Sequence, residues 1–335
     1  MGEMTPYLKF KNVLTGYRQY RLLEAAFDAG VFEHVGAGPV TAETLCRKVG
    51  WDLAFGTRAL SALCVLGFLE ETPHGIRVSE GGALFFGADA PHPMAGTLAF
   101  EKRLYDSWAL LGKTLEQGER VYAASEKSEA EYKKDLAQYI EAMDEAARIR
   151  AAELWQVVRP DNGQGLFVEL GFGSGAYSLA FLERHPGWRG SLADLDDVVG
   201  IFGETKASHS AFDRVTLSCV NLLEESWDLA ACEGANLLLL SNLVHCQGDE
   251  ETLGIVRRAA GLLAQGGTLV VHDFYRDRGE AGGLYDLHMM LNTYNGKVYT
   301  TGEMRAMVEA AGLVFAGDLA LPSGSCAVLA RKCEP

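Results

Sequence analysis

Hydrophobic and polar positions along this chain change their period once, and the change divides it. From Tyr20 to about Phe86, apolar residues recur at spacings of three and four, as on one face of a helix. The stretch Arg21-Leu22-Leu23-Glu24-Ala25-Ala26-Phe27 opens the series, and Gly30 suits its C-terminal cap. Thr41 is a good N-cap for a second helix beginning Ala42-Glu43-Thr44-Leu45. A third, from about Leu53 to Leu66, presents Leu60, Leu63 and Leu66. Phe68-Leu69-Glu70 and Ile76-Arg77-Val78 flank the turn Pro73-His74-Gly75 and read as a small hairpin. Three helices and a hairpin predict a winged-helix arrangement over residues 1–92. Residues 93–160 continue at helical spacing, chiefly over 99–115 and 129–158, as a helical connector.

The period shifts after the turn cluster Pro160-Asp161-Asn162-Gly163. Short apolar runs without polar alternation follow: 166–170, 191–194, 215–217, 237–241 and 268–272. Helical stretches separate them, the clearest running from Thr252 to Leu263. Runs of this kind belong to a mostly parallel sheet covered by helices on both faces. Residues 161–335 are therefore expected to form an open, Rossmann-like α/β sheet that binds its ligand at the carboxyl ends of the strands.

Length and charge narrow the function. At about 150 residues per domain, 335 residues suggest two domains, and a hydrophobic fraction of 48% is that of a globular chain. The net charge of -15 argues against nucleic acid and anionic membranes. Residues 1–90 hold eight Lys or Arg against ten Asp or Glu, and the third helix offers only Arg58 to a DNA groove. Dimerisation suits the winged helix better. The seven cysteines are scattered, without a CxxC pair, which argues against a disulfide framework or a zinc site. Neither an apolar leader nor a run of about 18 uncharged apolar residues stands out, and the expectation is a reduced, soluble, cytoplasmic protein without a metal.

Glu169-x-Gly171-x-Gly173-x-Gly175 lies between an expected strand and helix, where glycines let a ligand approach the backbone and a helix N-terminus offers amides. Asp194, at the next strand's end, can accept both hydroxyls of an adenosine ribose. Gly171-x-Gly173-x-x-Ala176 also meets the loose dinucleotide pattern. The acid two residues before the first glycine, and the helical module upstream, favour instead the loop of class I methyltransferases, which bind S-adenosyl-L-methionine.

Several further motifs occur in one order: Ala25-Ala26-Phe27-Asp28-Ala29-Gly30-Val31-Phe32, then Ala59-Leu60-Ser61-Ala62-Leu63 with Leu66-Gly67-Phe68-Leu69-Glu70. Asp194-Leu195-Asp196-Asp197-Val198, His245-Cys246-Gln247-Gly248-Asp249-Glu250 and Gly266-Gly267-Thr268-Leu269-Val270-Val271 follow. Asp286-x-x-Met289 and Asn295-Gly296-Lys297-x-x-Thr300 close the series. Over nearly its whole length the chain thus resembles the small-molecule O-methyltransferases with an N-terminal winged-helix dimerisation domain, the plant caffeate-type and bacterial polyketide-type enzymes. The resemblance implies a homodimer, a connector that helps form the acceptor pocket, and S-adenosyl-L-methionine as cofactor. It assigns the methionine portion to Gly171, Gly173 and Gly175, the ribose to Asp194, the adenine to Leu195, Asn221 and Leu222, and a place near the cofactor to Glu169 and Ser241. His245 takes the position of the general base and Asp273 that of an acid orienting it. Met143 and Met289 match positions that sandwich an aromatic acceptor, and Phe100, Trp108, Cys246 and Thr293 are further pocket candidates, with Tyr105, His288 and Asn292.

A phenol with a pKa near 10 needs a base before it attacks well, and positioned histidines supply that near neutral pH. Two departures stand out. The family's second acid is replaced in Val298-Tyr299-Thr300, and the acid after the histidine is Cys246. Transfer to carbon or nitrogen, or non-methylating chemistry such as hydroxylation, decarboxylation or cyclisation, therefore stays open. The acceptor is expected to be a small aromatic or quinone-like molecule.

Overall fold

The computed structural model describes residues 5–36, 38–87, 89–118 and 128–333. The chain divides into two units, Met1–Lys102 and Arg103–Pro335. The first contains α1 (Pro6–Thr15), α2 (Tyr17–Asp28), α3 (Val31–Val35), α4 (Ala42–Val49) and α5 (Leu53–Val65). The hairpin β1 (Leu69–Thr72) and β2 (Gly75–Val78) and a short α6 (Glu80–Ala83) follow. Thr41 caps α4 as expected, accepting from the Thr44 N–H at 3.2 Å. Gly30 turns the chain from α2 into α3 at φ 70°, where a side chain would be strained. Ala26, Phe32, Leu45, Leu60, Leu63 and Leu69 pack into one core. Helix α1 lies outside the predicted set: none of its residues is buried, so no core-facing stripe marks it in the sequence.

Helix α7 (Ala95–Ala109) carries the division, and α8 (Leu111–Gln117) follows it, so the single helix expected over 99–115 is two. The long α9 (Glu129–Val157) opens with a capping box between Ser128 and Glu131. Its small-residue face buries Ala147 and Ala151. The sheet strands are β3 (Gly165–Leu170), β4 (Trp188–Asp194), β5 (Val215–Cys219), β6 (Ala235–Ser241), β7 (Leu263–Asp273), β8 (Val314–Ala320) and β9 (Cys326–Arg331). Between them run α10 (Ala176–Arg184), α11 (Asp196–Lys206), α12 (Asp249–Leu262), α13 (Glu280–Asn292) and α14 (Thr301–Ala310).

The strand order is β5-β4-β3-β6-β7-β9-β8, parallel from β5 to β7 and antiparallel at β9 and β8. Alternate residues of each central strand enter opposite layers. Val168, Leu170, Leu238 and Leu240 face α12 and α14, while Phe167, Leu237 and Leu239 face α9 and α10. Burying each such side chain contributes roughly 1.5–3 kcal/mol, which explains runs that are apolar without alternation. The chain leaves β3 toward β4 on one side and later enters β6 on the other. That switch opens a crevice at the carboxyl ends of β3 and β6, the usual ligand position in such sheets.

Candidate active site

The loop after β3 turns through Gly171, Gly173 and Gly175, all left-handed at φ 72°, 55° and 73°. Their reasons differ. A Cβ on Gly175 would lie 2.2 Å from a Phe202 ring carbon and one on Gly171 would lie 2.9 Å from Leu243, so the fold itself requires both. A Cβ on Gly173 would meet nothing within 4 Å. Its backbone borders open space, where a ligand can approach. The Gly173 N–H donates to Asp194 Oδ2 at 2.8 Å, and the Leu195 N–H donates to Oδ1 at 2.8 Å. Burial raises the pKa of the Asp194 carboxyl, against the pull of these two donors. Leu195 beside it is 48% exposed.

Glu169 lies one turn of the pleat below the loop, fully buried, with its carboxyl bonded by the Ser178 hydroxyl of α10. Burial pushes its pKa up to about 8. Asn221 is exposed and accepts from the Leu223 N–H at 3.1 Å, whereas Leu222 packs in the core and Leu223 is the exposed neighbour.

Beyond β6 the chain makes a second constrained turn. Asn242 has φ 50°, the one positive value at a non-glycine among the described residues, in a region where asparagine is tolerated. Its amide donates to the Tyr177 hydroxyl and to Ser241 Oγ, each at 3.1 Å. Ser241 in turn pairs with His272 Nδ1 at 3.1 Å, and His272 Nε2 with Ser325 at 2.9 Å. Burial drives the His272 pKa down to about 3, so this ring stays neutral and serves as a fixed spacer. Arg150 of α9 sits over the Phe274 ring at 5.5 Å, with its Nε buried and without a hydrogen-bond partner.

His245 follows on a short 3-10 turn, buried at 4% exposure. Its Nδ1 lies 2.5 Å from Asp273 Oδ1, and its main-chain N–H donates to Oδ2 at 3.4 Å. Asp273 ends β7, the neighbour of β6, and Oδ1 also accepts from the Phe274 N–H at 2.7 Å. Burial alone would lower the imidazole pKa, but the adjacent Asp273 carboxylate overrides it and holds the ring well above the ordinary histidine value. Nδ1–H directed at the carboxylate leaves Nε2 as the basic nitrogen.

Around Nε2 the pocket is aromatic. Tyr285 meets His245 edge-on at 5.1 Å, His288 stacks on Tyr285 at 5.5 Å, and Trp108 stacks on His288 at 6.4 Å. Met289 is buried one residue beyond His288, while Met143 and Cys246 are half-buried. The Thr293 hydroxyl donates to the Met289 carbonyl at 2.7 Å and accepts from the Gly296 N–H at 3.0 Å, tying down the end of α13. Phe100 falls in the first unit, Met1–Lys102. Val298, in place of a second acid, is fully buried. Tyr285, Arg150, Tyr177 and Asn242 lie outside the predicted set. Tyr285 had a signal, standing three residues before His288 and four before Met289 on one helical face. Among the described residues no group of acids, histidines and cysteines is arranged to hold a metal, and no helix is long and apolar enough to cross a membrane.

Comparison with known proteins bears on the family and the fold. Residues 106–314 match the model of the O-methyltransferase domain. The chain is 24% identical to the 3-amino-4-hydroxybenzoate 4-O-methyltransferase of Streptomyces cremeus, over 92% of this chain and 86% of that one. It is also 24% identical to the N,N-dimethyltransferase OxyT of Streptomyces rimosus, over 89% and 88%. The crystal structure of human N-acetylserotonin methyltransferase in complex with S-adenosylmethionine superposes with a TM-score of 0.81 at 21% identity, covering both chains fully. The chain belongs to the O-methyltransferase family.

Proposed function

We propose that this enzyme transfers a methyl group from S-adenosyl-L-methionine to a hydroxyl of a small aromatic or quinone-like molecule, with His245 as general base and Asp273 as the acid that orients it. The residues present fit the cofactor. The free space before Gly173 and the unpartnered Nε of Arg150 suit an amino-acid portion, and Asp194 keeps lone pairs for ribose hydroxyls. Gly171, Gly173 and Gly175 hold the methionine part, Asp194 the ribose, and Leu195 with Asn221 flanks the adenine. Glu169 acts from beneath the loop. When bound, the cofactor supplies a methyl group on a positively charged sulfur, already activated for displacement.

The protein then has to align the acceptor oxygen and take its proton. The observation that carries the reading is the 2.5 Å pair between His245 and Asp273 at the crevice mouth. Asp273 fixes the tautomer that leaves Nε2 free to accept, then stabilises the imidazolium formed. Trp108, His288 and Met289 give an aromatic acceptor flat and polarizable walls. The test is incubation with methyl-labelled S-adenosyl-L-methionine and phenolic acceptors, scored by mass. We expect a gain of one methyl group and, in His245→Ala, turnover lower by ~10²–10⁴ at unchanged cofactor affinity. Undiminished turnover in that variant would remove the base and favour transfer to nitrogen or carbon.

A homodimer completes the reading. Tyr7, Phe10, Val13 and Leu14 of α1 are 61–79% exposed, an apolar face suited to a second copy of the chain. Light scattering of the full chain should give twice the monomer mass, and a monomer at all concentrations would contradict it.

A further inference from the structure

The basic nitrogen of His245 has a partner that the base mechanism does not use. The Tyr285 hydroxyl stands 3.4 Å from Nε2. In the neutral ring, the form that acts as the base, Asp273 holds the one proton on Nδ1, so the tyrosine O–H is the donor and Nε2 the acceptor. Its ring has little freedom, packed edge-on to His245, at 4.7 Å from Phe274 and stacked on His288. Burial also raises its pKa, so this hydroxyl remains a neutral donor and not a second base. At the position of the missing second acid, Val298 brings an apolar side chain and a backbone N–H already given to Asp286 at 2.7 Å.

Nε2 has one lone pair. An acceptor hydroxyl that hands its proton to Nε2 must displace the Tyr285 hydroxyl from it. The tyrosine is then a buried donor in need of a new oxygen. If the incoming molecule lacks one, the unmet donor lowers affinity by about ten- to a hundredfold. Two oxygens on adjacent ring carbons lie side by side, a spacing that suits a hydrogen-bonding pair 3.4 Å apart. We propose that Tyr285 is a specificity-determining residue, selecting acceptors that carry a lone-pair oxygen on the ring carbon next to the hydroxyl to be methylated. Methoxy, second hydroxyl and ring carbonyl groups all qualify; alkyl groups do not. The inference rests on His245 being the base.

The discriminating probes are 2-methoxyphenol and 2-ethylphenol, which match in size beside the hydroxyl and differ by an oxygen in place of a methylene. Each is titrated calorimetrically, over a rising pH series that takes His245 to its neutral form, into the full-length protein loaded with S-adenosylhomocysteine. The wild type should bind 2-methoxyphenol about tenfold or more tightly than 2-ethylphenol. In Tyr285→Phe, which keeps the ring contacts, the ratio should fall to about one, 2-ethylphenol gaining while 2-methoxyphenol loses. A wild-type ratio near one overturns the proposal whether or not the variant folds. So does an equal ratio in both proteins, or binding of neither phenol. Transfer of labelled methyl to 2-methoxyphenol by His245→Ala is read separately. Retained turnover there removes the base, while the binding ratio judges Tyr285.

Discussion

The two halves of the site are built from different material. On the side proposed for the cofactor, after β3 and β4, the parts are backbone: three left-handed glycines and the N–H groups of Gly173 and Leu195 converging on Asp194. On the side proposed for the base, after β6 and β7 and along α13, they are side chains from separate elements, as in the His245–Asp273 pair and the column of Tyr285, His288 and Trp108. Backbone built on glycine recognises what every member of a cofactor class shares. Side chains exchange singly, as Val298 and Cys246 show, so the second half is where a family can vary its acceptor.

The comparison breaks if a change on one side registers on the other. The largest effect is expected from Asp273→Asn. Turnover at saturation should fall by up to the ~10²–10⁴ that a positioned base contributes, with the cofactor dissociation constant unchanged. The residual activity should also rise with pH from a lower starting point, because the carboxylate that raises the His245 pKa is gone. A pH profile of kcat alongside calorimetry of the cofactor checks both.

Gly175→Ala tests the cradle as architecture. It should cost about 1–3 kcal/mol from overpacking against Phe202 and about 1–2 kcal/mol from the left-handed backbone, seen in denaturant unfolding. Gly173→Ala, with open space before it, should show only the backbone part and lose cofactor affinity instead. Asp194→Ala should weaken the cofactor by about 1.5–3 kcal/mol, the range for a hydrogen bond to a charged group, while kcat at saturation holds.

The remaining test concerns Glu169, outside both halves of the comparison. Folded, it keeps its proton up to about pH 8; unfolded, it loses it near pH 4.3. Between those values the native state binds more protons, so this group lowers stability as pH rises. Unfolding at pH 5 and pH 8 should therefore show a larger decline for the wild type than for Glu169→Gln. Parallel declines would place the proton elsewhere.

What was legible in the sequence follows the same divide. The sheet from β3 to β7 could be read because apolar runs buried on both faces leave a continuous signal, and the glycine loop because its backbone demand is written in residue type. The edge strands β8 and β9 went unread. Gly317 and Asp318 interrupt β8, and much of that strand is only half-buried. The pairing of His245 with Asp273 is expected from motif order alone, since nothing local in the sequence marks the contact. Tyr285 was missed because a tyrosine on a helix looks like packing until the partner across the fold is known. Arg150 is similar: its company of Phe274 and Tyr177 exists only after α9 folds against the sheet.

The strand order carries a kinetic consequence. His245 follows β6 and Asp273 ends β7, consecutive strands joined by one helix, so their union closes a short chain segment. The glycine cradle meets that pair only when β3 aligns with β6, across a stretch of chain that contains two further strands. Non-local pairings of this kind form slowly, since chain entropy must be lost before contacts reward it. During refolding, secondary structure should therefore recover before cofactor binding does. The crevice should then complete late, and a chain caught between the two events would hold the His245–Asp273 pair without the glycine loop opposite it.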